Sequence, residues 1–398
     1  MDLLDTTLKN KVLQTMEQLL EKHRDALLRA NSKDLEAFTL TDRALYDRLV
    51  VNNDKIDGMI QAVRSVREQD DPVNREISHA QLANGLRISN RTAPFGTILI
   101  IYESRPDVTV EAAVLAFKAN NTIFLKGGKE ALHSNTELVK LWHRALEDNG
   151  LSSDYIQLLT LDREKTRAFL RNPPVKLDLI VPRGGERLIA FVKEHAQCAV
   201  LVSGRGNNFL YLDKNADWGK SVAVALNAKT QKISACNAVD KILIHKELPG
   251  FKEKVRSLAG ALEKEGVELL VDDALAPILP EQKRMDEALW KTEFLAMKCC
   301  LAAVADTKEA VNLINEHSGG HSASIMTENQ EVAHQFMQQV DCAAVYHNAS
   351  TRFTDGGQMG VGAELAISTD KLHHRGPLGL EQLVTNKYHV FGDGQVRA

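Results

Sequence analysis

Between residues 97 and 195 the chain alternates short apolar, β-branched runs with helical stretches. Strand-like runs at 97–102, 122–126, 156–160 and 177–181 are each followed by a helical pattern, at 108–119, 134–146, 164–171 and 186–195. Strands joined by helical crossovers pair in parallel, and a parallel sheet must be covered on both faces, so its strands read as nearly continuous apolar runs. A second block follows, with strands near 241–244, 269–271, 322–326 and 343–346 and helices at 251–265 and 308–316. With 398 residues the chain exceeds what one core usually serves. The expectation is an α/β protein of two Rossmann-like parallel-sheet lobes, with any ligand site in the cleft between them.

The flanks and the composition narrow the reading. Leu8, Val12, Leu13, Met16, Leu19, Leu20, Leu27 and Leu28 recur at helical spacing, which predicts an amphipathic N-terminal helix, with helical character continuing to about residue 67. Strand-like runs at 81–91 and 384–391 are paired here as a β-arm for self-association, although a simple edge strand reads as well. A net charge of −4 and a pI near 6.4 provide no basic field for nucleic acid or an anionic membrane surface. No apolar stretch approaches the roughly 20 residues of a membrane span, and the amino terminus has no basic region followed by an apolar run, so a cytoplasmic location is expected. Five cysteines without C-x-x-C spacing suggest neither a disulfide framework nor a zinc site, and Ser318-Gly319-Gly320 breaks any helix that could aim His317 and His321 at one metal.

Two phosphate-loop signatures fail on inspection. Gly204-Arg205-Gly206 has Phe209 where a dinucleotide fingerprint needs its third glycine, and a strand-like run follows it. Trp218-Gly219-Lys220-Ser221 has Lys214 in place of the first P-loop glycine. Chemistry points instead to Cys236, which lies in the polar, small-residue loop Gln231 to Ala238, after a helical run and before a β-branched strand. A cysteine whose thiolate is favoured by its surroundings is a nucleophile. A buried structural cysteine is the competing reading.

The residues around this loop resemble a known family. Pro94-Phe95-Gly96, Tyr102-Glu103-Ser104-Arg105-Pro106-Asp107, Leu125-Lys126-Gly127-Gly128-Lys129-Glu130 and Pro182-Arg183-Gly184-Gly185-Glu186 are followed, in family order, by Cys236-Asn237-Ala238 and Thr292-Glu293-Phe294. Asn348-Ala349-Ser350-Thr351-Arg352-Phe353-Thr354-Asp355-Gly356-Gly357 and Arg375-Gly376-Pro377-Leu378-Gly379 complete the pattern. Nearly the whole chain is thereby similar to the gamma-glutamyl phosphate reductases, or glutamate-5-semialdehyde dehydrogenases, of the aldehyde dehydrogenase superfamily.

That resemblance implies an NADP(H)-binding lobe over residues 1–229, with 81–95 contributing to the β-arm, a catalytic lobe over 230–375 and a C-terminal segment with the arm over 376–398. It implies NADPH-dependent reduction of L-glutamyl 5-phosphate to L-glutamate 5-semialdehyde and phosphate in proline biosynthesis, through a thioester on Cys236. The backbone N–H of Cys236 and the side chain of Asn237 are the nearest oxyanion donors. Lys126, Lys129, Gly184, Gly185 and Glu293 fall at cofactor-binding positions, with Lys129 favouring a 2′-phosphate where a glutamate would repel it. For a doubly anionic substrate, Arg105, Arg352 and Arg375 are the candidate cations, with Ser350 and Thr351 as hydroxyl donors. Arginines that bond backbone carbonyls, and lysines that are merely solvated, are the plain alternatives. A homo-oligomer is implied, and glutamate 5-kinase is a candidate partner because it makes the substrate.

The stretch Leu201 to Gly206 has no carboxylate to activate water against a thioester, which favours reduction over hydrolytic oxidation. Asp107, Ser234-Ala235, Ala323 and the segment 203–208 depart from the usual family pattern. Two other readings stay open, an NAD(P)-dependent semialdehyde dehydrogenase acting oxidatively and an inactive family member acting as a binding protein.

Overall fold

The computed structural model describes residues 2–39, 43–371 and 374–397. They form two compact units, the first comprising residues 2–39, 43–202, 360–366 and 378–397, the second 203–359, 367–371 and 374–377.

The first unit opens with four helices, α1 (Thr6–Lys22), α2 (Arg24–Glu36), α3 (Arg43–Leu49) and α4 (Asn53–Glu68). The single helix expected through Leu28 is broken at His23, whose backbone leaves helical angles while its N–H still bonds the Leu19 carbonyl. Asp5 and Asn52 cap α1 and α4 by accepting the N–H groups of Thr7 and Lys55, satisfying donors that a helix start leaves free. Val12, Met16 and Leu20 of α1 join Ile56, Val63 and Val66 of α4 in one buried cluster. Each such side chain removed from water contributes about 1.5–3 kcal/mol.

A hairpin of β1 (Glu76–Gln81) and β2 (Arg87–Pro94) follows. Residues 81–91, expected as one strand, span its turn, which the Leu82 N–H closes onto the Leu86 carbonyl and in which Gly85 takes a φ of 90°. The C-terminal strand Val384–Phe391 pairs antiparallel with β2 along its length, Val384 opposite Pro94 and Phe391 opposite Arg87. Next come β3 (Thr97–Tyr102), α5 (Pro106–Lys118), β4 (Thr122–Lys126), α6 (Leu132–Glu147), β5 (Ile156–Leu158), α7 (Arg163–Arg171), β6 (Leu179–Arg183), α8 (Glu186–His195) and β7 (Ala199–Val200). Their strands form a parallel sheet in the order β5-β4-β3-β6-β7. Chain order reverses between β3 and β6, the switch point at which such sheets open a crevice at their carboxyl ends.

The second unit runs through β8 (Asn208–Leu212), α9 (Trp218–Thr230), β9 (Val239–His245), α10 (Phe251–Lys264), β10 (Glu268–Val271), β11 (Lys283–Arg284), β12 (Lys298–Val304), α11 (Thr307–His317), β13 (Ser322–Met326), α12 (Gln330–Gln339) and β14 (Ala344–His347). The seven strands lie parallel in the order β11-β10-β12-β9-β8-β13-β14. The division falls after Val202, not at residue 229, because β8 pairs with β9 and β13 and so brings α9 with it. Residues 360–366 also return to the first unit, where Leu365 and Ala366 are buried in its core. Among the described residues no helix is long and apolar enough to cross a membrane.

Candidate active site

Cys236 lies in the loop between α9 and β9, at the amino-terminal edge of the seven-stranded sheet. Cys236 and Asn237 are the central residues of a turn that the Ala238 N–H closes onto the Ala235 carbonyl at 3.1 Å. The side chain is half-buried and its thiol is free of any disulfide. Asn208, the first residue of β8, holds this turn: its Nδ2 lies 2.7 Å from the Cys236 carbonyl oxygen, 2.7 Å from that of Ala238 and 2.8 Å from that of Gly206. A Cβ on Gly206 would overlap the Cys236 carbonyl and Cα, so the glycine that fails as a dinucleotide motif is needed for the turn to pack.

Asn237 does not aim its amide at a reaction centre. Its Nδ2 donates to the carbonyls of Thr354 at 2.9 Å and Arg352 at 3.3 Å, while Thr351 Oγ1 donates to the Asn237 carbonyl at 2.7 Å. The side chain therefore ties the cysteine turn to the 350–354 turn and is not available as an oxyanion donor. Ser350 caps that second turn by accepting the Arg352 N–H at 3.3 Å.

Arg352 is oriented by Gln231, to which its Nε donates at 3.0 Å, and its Nη1 is buried without a protein hydrogen bond. Burial pulls the Arg352 pKa down, and the charges of Cys236 and Asp355 oppose that shift. Arg375, expected at the substrate, is engaged by Asp341: its Nη1 lies 2.8 Å from Asp341 Oδ1, and its Nη2 donates to the Asp341 carbonyl at 3.1 Å. Behind the 350–354 turn a polar chain runs from buried His321 Nδ1 to Ser322 Oγ at 2.8 Å, then to Thr354 Oγ1 and on to the Tyr346 hydroxyl, each at 2.8 Å. Burial alone pushes His321 down to about 4.

Glu293 follows the 3₁₀ turn Glu287–Lys291 and precedes β12. Lys241 Nζ donates to the Thr292 carbonyl and Asp240 Oδ2 accepts the Phe294 N–H, both at 2.8 Å, so the glutamate is fastened on either side to β9, the strand that begins three residues after Cys236.

In the first unit a cleft of about 820 Å³ opens at the carboxyl ends of β3, β4 and β5. Lys126 and Lys129 line it, with Gly127 and Gly128 between them and Leu158, Leu159 and Phe191 as apolar wall. Gly127 packs so closely on Asn135, and Gly128 on Glu130, that a Cβ at either would overlap the neighbour. Lys126 Nζ donates to the Gly127 carbonyl at 2.8 Å, and burial pulls its pKa down. The turn after β3 carries Ser104 at a φ of 42°, where Glu130 Oε1 accepts its N–H at 2.8 Å and its Oγ–H at 2.7 Å. Gly184 and Gly185 precede α8 at the switch point, and Gly185 donates its N–H to Glu103 Oε2 at 3.3 Å.

Arg105, the N-cap of α5, stands among charges: Arg183 and Arg48 repel it while Asp107 and Glu111 attract it, and burial pulls its pKa down. Arg183 Nη1 lies 3.6 Å from Glu111 Oε2. Burial, aided by Asp107, pushes Glu111 up to about 7.

Asn207, Asn208, Gly206 and the pair Asp240-Lys241 were missed from the sequence as site residues. One signal was present, two adjacent charges inside the strand Val239–His245, every residue of which is buried.

Residues 1–266 and 251–364 match the model of the aldehyde dehydrogenase family. The two parallel-sheet units and the cysteine turn thus belong to a member of that family, for which a nicotinamide cofactor is implied. The chain is 40% identical to gamma-glutamyl phosphate reductase 2 of Bacillus licheniformis over 98% of its own length and 92% of that protein. The crystal structure of gamma-glutamyl phosphate reductase from Thermotoga maritima matches with a TM-score of 0.93 at 40% identity, covering 99% of this chain and 95% of that one. An acetylating aldehyde dehydrogenase from Geobacillus thermoglucosidasius, 16% identical with a TM-score of 0.71 over 99% of this chain and 94% of its own, shares the fold. Within the aldehyde dehydrogenase family the chain belongs to the gamma-glutamyl phosphate reductases.

Proposed function

We propose that this chain reduces L-glutamyl 5-phosphate to L-glutamate 5-semialdehyde with NADPH and releases phosphate, through a thioester on Cys236. The observation that carries the reading is the Cys236 turn, held through Asn208 and Gly206 and tied by Asn237 to the turn that carries Arg352. A cation there favours a thiolate over a thiol. The thiolate attacks the acyl carbon, a C–S bond forms, and the bond from that carbon to the phosphate oxygen breaks. The buried Nη1 of Arg352 is a donor suited to the departing phosphate or to the acyl oxygen. The cofactor, when bound, supplies the hydride that reduces the thioester. Cleavage of the C–S bond then returns the thiolate to Cys236 and frees the aldehyde.

The cleft at the carboxyl ends of β3, β4 and β5 fits an adenosine in size and wall, with Lys126 at the ribose and exposed Lys129 near a 2′-phosphate. Gly184 and Gly185, at the start of α8, suit the pyrophosphate. Glu293 holds the nicotinamide ribose in this reading. Arg105, within its cluster of charges, remains the first unit's candidate for an anionic substrate group, and Ser350 and Thr351 act by shaping the Arg352 turn. Exposed Ile77, Tyr388, Val390 and Phe391 on the three-stranded antiparallel sheet, with exposed Leu82 at its hairpin turn, favour its use in self-association with a second copy. A cytoplasmic enzyme fed by glutamate 5-kinase completes the proposal.

The test follows NADPH formation from glutamate 5-semialdehyde and NADP⁺, with and without phosphate, in wild type and Cys236→Ala. Activity that needs both phosphate and Cys236 supports acyl-phosphate chemistry. Phosphate-independent activity would make the enzyme a hydrolytic dehydrogenase, and NADP⁺ binding without turnover would make it a binding protein.

A further inference from the structure

Lys229, Asp240 and Lys241 are buried, and the last two bond the segment that carries Glu293. Lys229 Nζ sits 2.8 Å from Asp240 Oδ1, with the two side chains 0% and 3% exposed. The other oxygen of Asp240 accepts the Phe294 N–H at 2.8 Å. Lys241 Nζ donates to the Thr292 carbonyl at 2.8 Å and to Asn207 Oδ1 at 2.7 Å, and stands 4.2 Å from the centre of the Phe294 ring. Asn207 Nδ2 donates to the carbonyls of Trp290 and His317, both at 2.7 Å, and Arg205 Nη1 donates to the Lys291 carbonyl at 3.0 Å. Residues 290, 291, 292 and 294 are therefore each fastened, and Glu293 lies between them.

Buried ion pairs are poor contributors to stability, since a well-packed apolar set of similar volume is often as stable or more so. What such groups do supply is directed bonds that hold an irregular backbone in one place. This segment has no regular structure between the turn ending at Lys291 and β12, and Leu295 adopts a φ of 47°. Adjacent residues divide the task at the edge of the sheet: Asn208 holds the Cys236 carbonyl, and Asn207, with Lys241, holds the Glu293 segment.

We propose that Lys241, Asp240 and Asn207 are positioning residues, which set the place of Glu293 relative to Cys236 through the bonds to Trp290, Thr292 and Phe294. The proposal rests on the reading of Glu293 as the residue that holds the cofactor ribose. Lys241→Met removes the bond to Thr292, and the isosteric Asp240→Asn keeps an acceptor for the Phe294 N–H while removing the charge opposite Lys229. Two readouts separate a positioning role from a merely structural one: the KM for NADPH, and the rate at which iodoacetamide alkylates Cys236 without cofactor.

The expected result for Lys241→Met is a KM for NADPH raised at least tenfold, a lowered kcat and a larger isotope effect with deuterated NADPH, with the alkylation rate within twofold of wild type. Asp240→Asn should show the same pattern more weakly, and it carries the test if Lys241→Met fails to fold by circular dichroism. A loss of thermal stability with KM and kcat unchanged would overturn the proposal, as would a fall in alkylation that matches the rise in KM. Glu293→Gln serves as the control. If its KM is raised while that of the other variants is not, the positioning role alone is lost; if its KM is unchanged, the reading of Glu293 itself is wrong.

Discussion

The side-chain amide of Asn208 holds the carbonyl of Cys236 at 2.7 Å, and the same nitrogen reaches the carbonyls of Ala238 and Gly206. One buried asparagine on β8 thus fixes the backbone of Cys236, 28 residues later in the chain.

Removing that amide should therefore cost both stability and rate. Asn208→Ala takes the side-chain donor from the Cys236 and Ala238 carbonyls, for a loss of about 2–4 kcal/mol. Gly206→Ala places a Cβ within the Cys236 carbonyl, so the turn must shift, and a displacement of that kind is expected to lower kcat by about 100-fold. Urea unfolding and steady-state kinetics on the two variants check the pair; wild-type kcat in Gly206→Ala would show that the turn does not set the chemistry.

Arg352 should govern the reactivity of the cysteine before any substrate binds. Arg352→Met is expected to slow iodoacetamide alkylation of Cys236 at pH 7 by about tenfold, with Arg352→Lys in between. Equal rates in all three proteins would place the guanidinium's effect elsewhere.

Cofactor preference should follow the charge at residue 129. In the proposed reading Lys129→Glu would replace a charge-assisted bond to a 2′-phosphate with a repulsion, so the ratio of kcat/KM for NADPH over NADH should fall on the order of 100-fold. Comparing kcat/KM with the two cofactors decides it, and an unchanged ratio would move the 2′-phosphate to other cations of the cleft.

His321 makes the fold acid-sensitive. Its folded-state pKa of about 4 lies below the ordinary value of 6.5, so the unfolded chain takes up this proton more readily. The stability associated with the neutral ring is complete above pH 6.5 and is lost as pH falls towards 4, to a total on the order of 3 kcal/mol. His321→Gln should flatten that part of the profile, as measured by urea midpoints at pH 7 and pH 4.5. A wild-type-like slope in the variant would assign the acid loss to other groups.

Much of this was legible in the sequence, unevenly. The strands Thr97–Tyr102 and Val239–His245 announce themselves because β-branched and aliphatic residues dominate them, whereas β12, with the run Cys299-Cys300-Leu301-Ala302-Ala303, has little β preference and was passed over. Gly204-Arg205-Gly206 fails the dinucleotide pattern, yet its second glycine matters because the cysteine turn packs on it. Asn237 and Arg375 were read as functional from their place beside family motifs; their bonds to carbonyls and to Asp341 could not be seen from spacing.

By itself the sequence determined the α/β class, the two alternating blocks, the cysteine loop and the family, because periodicity and local motifs are properties of neighbours along the chain. The tertiary structure decided which side chain faces which. Asn208 reaches Cys236, Lys241 reaches Thr292 and Thr351 reaches Asn237 across 28, 51 and 114 residues. A buried amide or ammonium must find its partner wherever folding brings one, and that placement follows from the order of strands in the sheet, which no local pattern records.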